Sequence, residues 1–593
     1  MPLSCIGQCS TLVDVDDLDS RKVHSKDVVP SLGHVKRAKQ QKQDLLKRPR
    51  IPPCLLLIEI ITLIFEYVRQ WDEYPPDDIE VKWDRTMGKK TLASLARTCK
   101  AFHEPALDVL WMKLDSLDPL IKLLPKRMWA KKYYPLMVRM FMREKHWVTF
   151  SKYAKRVKSV SGPCWQLSSS VQHNAISALT KSPHASLPLL PSLTELVWSE
   201  LKMSNLIDPS VSLLQYFVGP KVTKVSLMLV CWPYHVPPEQ AVLSKLWELC
   251  PDVTSFTAYF PRSSHNDPSQ EVGAIVDHWP KLRTLQSCAL PQSVMDTLAS
   301  RRLLESLSIE LNNCKPPLYV GKLPESLHNF SLGGNSAPLC TRYLESVHGS
   351  PRICGLRVGA DDSTLEDIGG LIRALPIHLD KTALHDLKIE LNSSYWAVAA
   401  SETFPLDLPL ITPLLAFRAL RALDLDVFSA AGLDDMAYKA MAKAWPELRE
   451  FKLGTVDVSN AIPKASVGAI VSLLTHCPFL ETLHIAIDGT IPLPPASPPP
   501  YSGDDEDESA QSQGEESWGV SNILITELHV GHSPIDDINV IASCFGALMP
   551  RLRKIVTGNV NILYELQPVQ GERWERVQAM LVGHLRSRGV STE

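Results

Sequence analysis

Apolar residues follow two different patterns along this chain. Near the N-terminus, the stretch from Leu55 to Val68 is apolar at almost every position, so a helix formed there has apolar side chains on every side. A helix of that kind has to be covered all round. The run is interrupted by Glu59 and Thr62 and is shorter than the ~20 apolar residues that span a bilayer. We therefore predict that protein surface covers it.

A further apolar segment at 91–116 follows a polar stretch, 69–90, that contains a Pro pair. Its apolar residues keep helical spacing up to Phe102, and Pro105 is predicted to begin another helix because proline suits a first turn. These helices predict a small all-α domain over 51–125. The basic and aromatic segment 126–160 also has helical spacing, which predicts linking helices.

The second pattern begins near Leu190 and has the form L-x-x-L-x-L, with Leu, Ile or Val at the last position. Clear copies are RRLLESLSI, ALHDLKIEL, FRALRALDL and CPFLETLHI. The second apolar position recurs thirteen times, at 196, 225, 256, 285, 307, 330, 356, 387, 423, 451, 483, 528 and 555. Most of the spacings are close to the leucine-rich-repeat period of about 20–29 residues.

Helical stretches such as AVLSKLWELC and ASVGAIVSLLTHC separate the copies and run into a Pro or a short turn. Helix, turn and strand in repeated order is typical of a parallel strand stack whose neighbours bury each other's apolar faces. The sequence therefore predicts an α/β fold over 161–593, a leucine-rich-repeat solenoid or horseshoe. The segment 488–520 is Pro-rich and then acidic, which predicts a disordered loop within it.

Composition narrows the class of protein. Of the 593 residues, 45% are hydrophobic and 21% charged, and the formal net charge of −3 disfavours nucleic acid as the partner. The 13 cysteines include no C-x-x-C pair, which indicates reduced thiols. We see no signal peptide and no membrane span, so we expect a cytoplasmic or nuclear protein without a membrane partner. Residues 1–50 are predicted to be a disordered basic tail, and 36–50 reads equally as a two-part nuclear import signal or as a solvated basic segment.

Motifs for catalysis or cofactor binding were sought in the sequence. G-x-x-x-x-G-K-S/T, G-x-G-x-x-G, H-E-x-x-H and G-x-S-x-G do not occur, so we expect neither an enzyme nor a cofactor. His484 and His529 occupy equivalent positions on consecutive predicted strands, one strand spacing of about 5 Å apart. A metal needs a third ligand, which the sequence does not offer, so an ordinary exposed pair is favoured over a metal site.

Residues 56–111 resemble the F-box of fungal F-box and leucine-rich-repeat proteins. The matching features are Glu59-Ile60-Ile61, Ile64-Phe65, Cys99-Lys100-x-Phe102 and Leu110-Trp111, whereas Leu56-Leu57 stands where the family usually has Leu-Pro. The resemblance implies a three-helix unit that docks on the Skp-type adaptor of a cullin–RING ubiquitin ligase, while the repeats hold a protein substrate. The alternatives are a cap on the repeat domain and a repeat scaffold with a degenerate F-box and no ligase role.

Two sets of residues follow from these expectations. The resemblance implies adaptor contacts by Ile58, Ile60, Ile61, Ile64, Phe65, Val68, Leu95, Cys99, Phe102, Leu107 and Trp111. Strand side chains alternate between faces, so the residue between the last two apolar positions of each repeat is predicted to point to the concave face.

The charged residues on that predicted face form the candidate substrate patch. They are Arg357, Lys388, Glu390, Asp424, Asp426 and Lys452. An ordinary solvated face is the alternative interpretation. Glycines at 333, 359, 454 and 531 are predicted either to leave room for a partner or to ease strand curvature.

Overall fold

The fold comes from a computed structural model of the chain. It describes residues 58–70, 72, 86–125, 129–130, 137–138, 143–161, 176, 179–200, 214–229, 245–259, 269–311, 321–334, 336–349, 351–360, 363–391, 405–456, 461–492, 519–558 and 568–587. The predictions for the tail at 1–50, for most of the polar stretch 69–90 and for most of the segment 488–520 lie outside these residues. The chain divides into two compact units, Met1–Val109 and Leu110–Glu593, and each is described by itself.

The first unit is helical. Helix α1 spans Ile58–Gln70, α2 spans Met87–Leu95, and α3, which spans Lys100–Met112, begins in it. Helix α1 buries only one side, formed by Ile61, Phe65 and Val68 at successive helical turns. The ring of Phe65 meets that of Phe102 edge-on, with centroids 5.5 Å apart. This aromatic pair packs α1 against α3.

Asp72 connects the end of α1 to the start of α2. Its carboxylate accepts hydrogen bonds from the backbone N–H of Gly88 (2.7 Å) and Lys89 (3.1 Å) and from Arg69 Nη1 (2.8 Å). A carboxylate at a helix N-terminus satisfies N–H groups that have no partner within the helix. Gly88 permits this close approach, because a Cβ there would lie 2.5 Å from the carbonyl oxygen of Val68.

The prediction that Pro105 begins a helix is wrong. Helix α3 starts earlier, at Lys100, and Pro105 lies inside it. The backbone N–H groups of Phe102 and His103 both donate to the carbonyl of Cys99, which sets the first turn. Pro105 has no N–H to donate one turn back, and α3 continues without that single bond. A local proline signal was overridden by packing around the helix.

The second unit contains one parallel sheet whose fifteen strands, among the described residues, follow chain order. Its strands are β1 (Lys113–Leu114), β4 (Ser159–Val160), β5 (Glu195–Glu200), β6 (Lys224–Leu229), β7 (Ser255–Tyr259), β8 (Thr284–Cys288), β9 (Ser306–Glu310), β10 (Asn329–Gly334), β11 (Gly355–Ala360), β12 (Asp386–Glu390), β13 (Ala422–Leu425), β14 (Glu450–Leu453), β15 (Thr482–Ile485), β16 (Glu527–Gly531) and β17 (Lys554–Thr557). A separate antiparallel pair joins β2 (Trp129–Ala130) to β3 (Met137–Val138).

Helices lie between many of these strands. They are α4 (Asp118–Lys122), α5 (Glu144–Ala154), α6 (Leu246–Leu249), α7 (Ser269–Asp277), α8 (Gln292–Ala299), α9 (Ala337–Ser346), α10 (Leu365–His378), α11 (Leu408–Ile411), α12 (Asp435–Ala444), α13 (Val467–His476), α14 (Ile538–Leu548) and α15 (Pro568–Ser587), with a 3₁₀ turn at Thr412–Ala416. The α/β class and the repeated order of helix and strand are therefore confirmed. The segment predicted as linking helices contains α5 but also β2, β3 and β4.

All thirteen predicted apolar positions lie in one unbroken row, which twelve register pairs join. The row starts with Leu196 against Val225 in β5 and β6 and ends with Leu528 against Ile555 in β16 and β17. Strands β1 and β4 extend the sheet on the N-terminal side and were not predicted. Each has two residues, too few to show an alternating pattern.

The row of apolar side chains packs on the helices. Phe256 lies against Trp279 (centroids 5.0 Å apart), and Phe330 lies against Tyr343 of α9 (6.3 Å). The residues between the apolar positions are less buried, as in the alternating burial of β13, β14 and β15. They lie on the other side of the sheet, which we call the open face.

Candidate functional site

A second side of α1, next to its buried residues, carries an apolar stripe. It consists of Ile60, Leu63, Ile64 and Tyr67, which are 36%, 64%, 42% and 65% exposed. Steps of three, one and three residues place all four on one face of the helix. Contiguous exposed apolar side chains mark surfaces where proteins meet. We call these four residues the α1 stripe.

The structure divides the residues predicted to contact an adaptor into three groups. Exposed members are Ile58, Ile60 and Ile64. Half-buried members are Leu95, Cys99, Phe102 and Leu107. Buried members are Ile61, Phe65, Val68 and Trp111. The buried members hold their own unit together, so only the first two groups present surface to a partner.

Trp111 is not part of the unit that carries the α1 stripe. It belongs to the second unit, where its ring packs against Tyr153 of α5 with centroids 4.7 Å apart. Leu63 and Tyr67, in contrast, were absent from the predicted set. Their helical spacing from Ile60 was the signal that could have found them, because i, i+3, i+4 and i+7 share a face.

The six predicted substrate residues lie together on the open face of the sheet. Register pairs Arg357 with Lys388, Lys388 with Asp424, and Asp424 with Lys452 across β11 to β14. The row continues through His484 to His529. We call this group, with the carboxylates and the lysine that contact it, the charged ladder; it consists of Arg357, Lys388, Glu390, Asp424, Asp426, Glu450, Lys452, His484, Glu527, His529 and Lys554.

Glu390 is held by two cations at one end of the charged ladder. Its carboxylate accepts from Arg357 Nε at 2.7 Å and from Lys388 Nζ at 2.8 Å. Lys388 Nζ also contacts Asp424 Oδ2 at 2.8 Å, so it bridges two strands. Burial opposes ionisation of both groups, but these bonds and charges outweigh it: the pKa of Lys388 is raised and the pKa of Glu390 is lowered. Both cations are substantially exposed, so these ion pairs contribute little stability.

Asp426 is the most enclosed carboxylate of the charged ladder. It accepts from the backbone N–H (2.7 Å) and hydroxyl (2.8 Å) of Thr455, and from His484 Nδ1 (2.7 Å). Burial alone would raise the pKa of Asp426, but the bonds from His484 and Thr455 outweigh burial and lower it. Asp426 is therefore ionised and can only accept, so Nδ1 of His484 carries the proton.

His484 and His529 are stacked face to face. Their ring centroids are 3.7 Å apart and their planes are 12° from parallel. His529 Nε2 lies 2.9 Å from Glu527 Oε1, and Lys554 Nζ lies 3.1 Å from the same oxygen. The prediction that the two histidines sit side by side on consecutive strands is confirmed, although both are partly buried.

Parallel stacked rings aim their nitrogen lone pairs alongside each other and not at a common point. Within the described residues, no three His, Cys, Asp or Glu side chains come together to hold a metal ion. The stacked rings join β15 to β16.

The glycines beside the charged ladder do not leave empty space. A Cβ at Gly333 would lie 2.2 Å from the carboxylate of Glu310, and one at Gly454 would lie 2.7 Å from the Cβ of Ala430. At Gly531, where φ is +56°, it would meet the backbone of Thr455 at 2.8 Å. At these three glycines the chain's own atoms occupy the room that was predicted for a partner, which corrects that interpretation there; for Gly359 it stays a prediction.

Two further observations bear on the kind of protein. Helices long and apolar enough to cross a bilayer are missing from the part of the chain that the structure describes. Comparison of the sequence with the models of known protein families and with curated proteins found no match to either.

Proposed function

We propose that this protein is the substrate-recognition subunit of a cullin–RING ubiquitin ligase. In this proposal the first unit is an F-box that docks on a Skp-type adaptor, and through it on a cullin. The second unit is a leucine-rich-repeat domain whose open face binds a protein substrate. The chain supplies no catalytic residue: it holds a substrate lysine at high effective concentration near the conjugating enzyme.

The observation that carries the proposal is the α1 stripe. A helical unit of this size cannot cover all of its apolar surface, and α1 leaves an apolar row in solvent beside the motif Glu59-Ile60-Ile61 that resembles an F-box. An adaptor interface of ordinary size, about 1,600 Å² in total, would cover such a row. The alternative, a repeat scaffold without a ligase role, does not explain what would cover the α1 stripe.

Replacing both Ile60 and Ile64 by Asp tests adaptor docking. Both side chains are exposed, so the double variant should fold, while each carboxylate would be buried without a partner in the complex. We expect adaptor affinity to fall on the order of 100-fold. Affinity is measured with purified full-length chain and a purified Skp-type adaptor. Phe65 is unsuitable for this test because it packs on Phe102 within its own unit.

The matched control is Ile377→Asp. Ile377 is an exposed isoleucine of α10 in the second unit, so its replacement should leave adaptor affinity unchanged. Unchanged affinity in the Ile60, Ile64 double variant would reject docking by the stripe. A wild-type chain that binds no Skp-type adaptor would reject the ligase role and leave the scaffold interpretation.

A further inference from the structure

Strands β15 and β16 share only two register pairs. Four register pairs join β14 to β15, but only two join β15 to β16, Leu483 with Leu528 and His484 with His529. One of these two register pairs is the stacked histidine pair. Sheet stability depends on cross-strand side-chain pairs, so a change in this pair acts directly on the junction.

Charged groups approach the pair from each neighbouring strand. Asp426, in the turn that follows β13, accepts from His484, and Lys452 of β14 is the register partner of His484. Glu527 of β16 holds His529, and Lys554 of β17 shares that carboxylate. A proton on either ring has one carboxylate beside it. Protons on both rings would place two positive charges 3.7 Å apart in a partly buried site.

We propose that the His484–His529 stack is a proton-sensitive joint, which holds β15 to β16 while His529 is neutral and loosens when His529 takes up a proton. A neutral ring stacks flat on His484 and donates from Nε2 to Glu527. A charged ring of His529 is repelled by positive charge on His484, whose ring lies 3.7 Å away. The joint lies within the charged ladder, so a partner bound there would experience the same change; this last consequence rests on the proposed function.

The direction of the pH dependence follows from burial and neighbouring charge. Burial and His484 lower the pKa of His529, and Glu527 and Asp426 offset this only in part. Between the unfolded pKa of about 6.5 and the lower folded value, the unfolded state binds more protons than the native state. The joint is therefore stable above that window and loses stability as pH falls through it.

Hydrogen exchange of the full-length chain at about pH 7.5 and about pH 5.5, corrected for intrinsic exchange rates, tests the proposal without any partner. The protection of backbone amides against exchange, measured in peptides covering 482–485 and 527–531, should be about tenfold lower at the lower pH. His529→Phe keeps an aromatic ring that cannot be protonated, and its protection should be equal at both pH values. His348→Gln removes an exposed histidine elsewhere and should respond like wild type.

Two results would overturn the proposal. One is wild-type protection that is the same at both pH values. The other is a pH response that persists in His529→Phe. If the Phe variant lacks protection even at neutral pH, His529→Gln replaces it, because an amide still donates to Glu527 but does not titrate. A pH response retained in the Gln variant would equally reject the joint. None of these readouts depends on whether an adaptor binds.

Discussion

Asp426 joins three parts of the second unit through one carboxylate. It belongs to the turn that follows β13, it caps the backbone at Thr455, and it holds His484 of β15. A buried carboxylate is stable only when its acceptor sites are filled, and here four donor contacts from two residues fill them. Single-residue changes at this position should therefore cost more than changes at the exposed ladder positions.

We expect Asp426→Asn to destabilise the second unit by about 3 kcal/mol, because an amide nitrogen would face donors from Thr455 or His484. Asp424→Asn is the matched comparison and should cost at most about 1 kcal/mol, since Lys388 keeps Glu390. Urea unfolding followed by circular dichroism measures both. Equal effects would contradict a special role for Asp426.

The destabilisation caused by Asp426→Asn is predicted to depend on pH. The folded pKa of Asp426 is lowered, so its stabilisation is present above the unfolded pKa of about 4 and is lost as pH falls through the folded value. The difference in unfolding free energy between wild type and Asp426→Asn should therefore shrink below about pH 4.

At the scale of elements, the ends of two strands depend on glycine. Gly454 follows β14 with φ of +83°, and Gly531 ends β16 with φ of +56°. Residues with a Cβ rarely adopt this conformation, and each glycine also lies against the chain's own atoms. The turns that lead out of these strands are set by backbone conformation as well as by space.

Replacing Gly454 by Ala should destabilise the second unit by roughly 2 kcal/mol, because the backbone would be strained and the new Cβ would clash with Ala430. Gly370→Ala in α10 is the opposite case. No atom lies within 4 Å of a Cβ there, and alanine favours helix, so this variant should gain up to about 1 kcal/mol. Thermal unfolding of both variants checks the signs. A stabilised Gly454→Ala would refute the role assigned to the turn.

At the scale of the whole molecule, the two candidate surfaces lie on different compact units. The α1 stripe belongs to Met1–Val109, and the charged ladder belongs to Leu110–Glu593. One surface is apolar and continuous, and the other carries charges of both signs. Mixed charge suits a polar and specific contact, whereas an apolar row suits a stable one. If the α1 stripe binds the adaptor and the charged ladder binds the substrate, as proposed, each surface can be mutated separately.

Reversing the charge of Lys388 and Lys452 together should cut substrate recruitment at least about tenfold, because it removes the cations beside Asp424 and Glu450 and adds two negative charges. Adaptor affinity should stay at the wild-type value. Recruitment is measured by affinity purification while the proteasome is blocked. Lys281→Glu, at an exposed lysine that pairs with Asp252, is the control. Unchanged recruitment in the double variant would show that the substrate does not bind through these lysines of the open face.

The sequence by itself determined the repeated part of the fold. Alternation along a strand is a local property, and a repeat brings equivalent positions into register, so the apolar row from Leu196 to Ile555 could be located without coordinates. The pairing of His484 with His529 followed from the same argument. Elements too short to show a period, such as β1 and β4, could not be found in this way.

Only the tertiary structure decided which side chains are covered and which are joined over a distance. In α1 nearly every position is apolar, so no pattern separates the buried Phe65 from the exposed Ile64; the aromatic contact with Phe102 makes that choice. Asp426 reaches His484 two strands away, and Glu310 occupies the space beside Gly333. These contacts depend on side-chain packing between residues distant in sequence, which local periodicity does not encode.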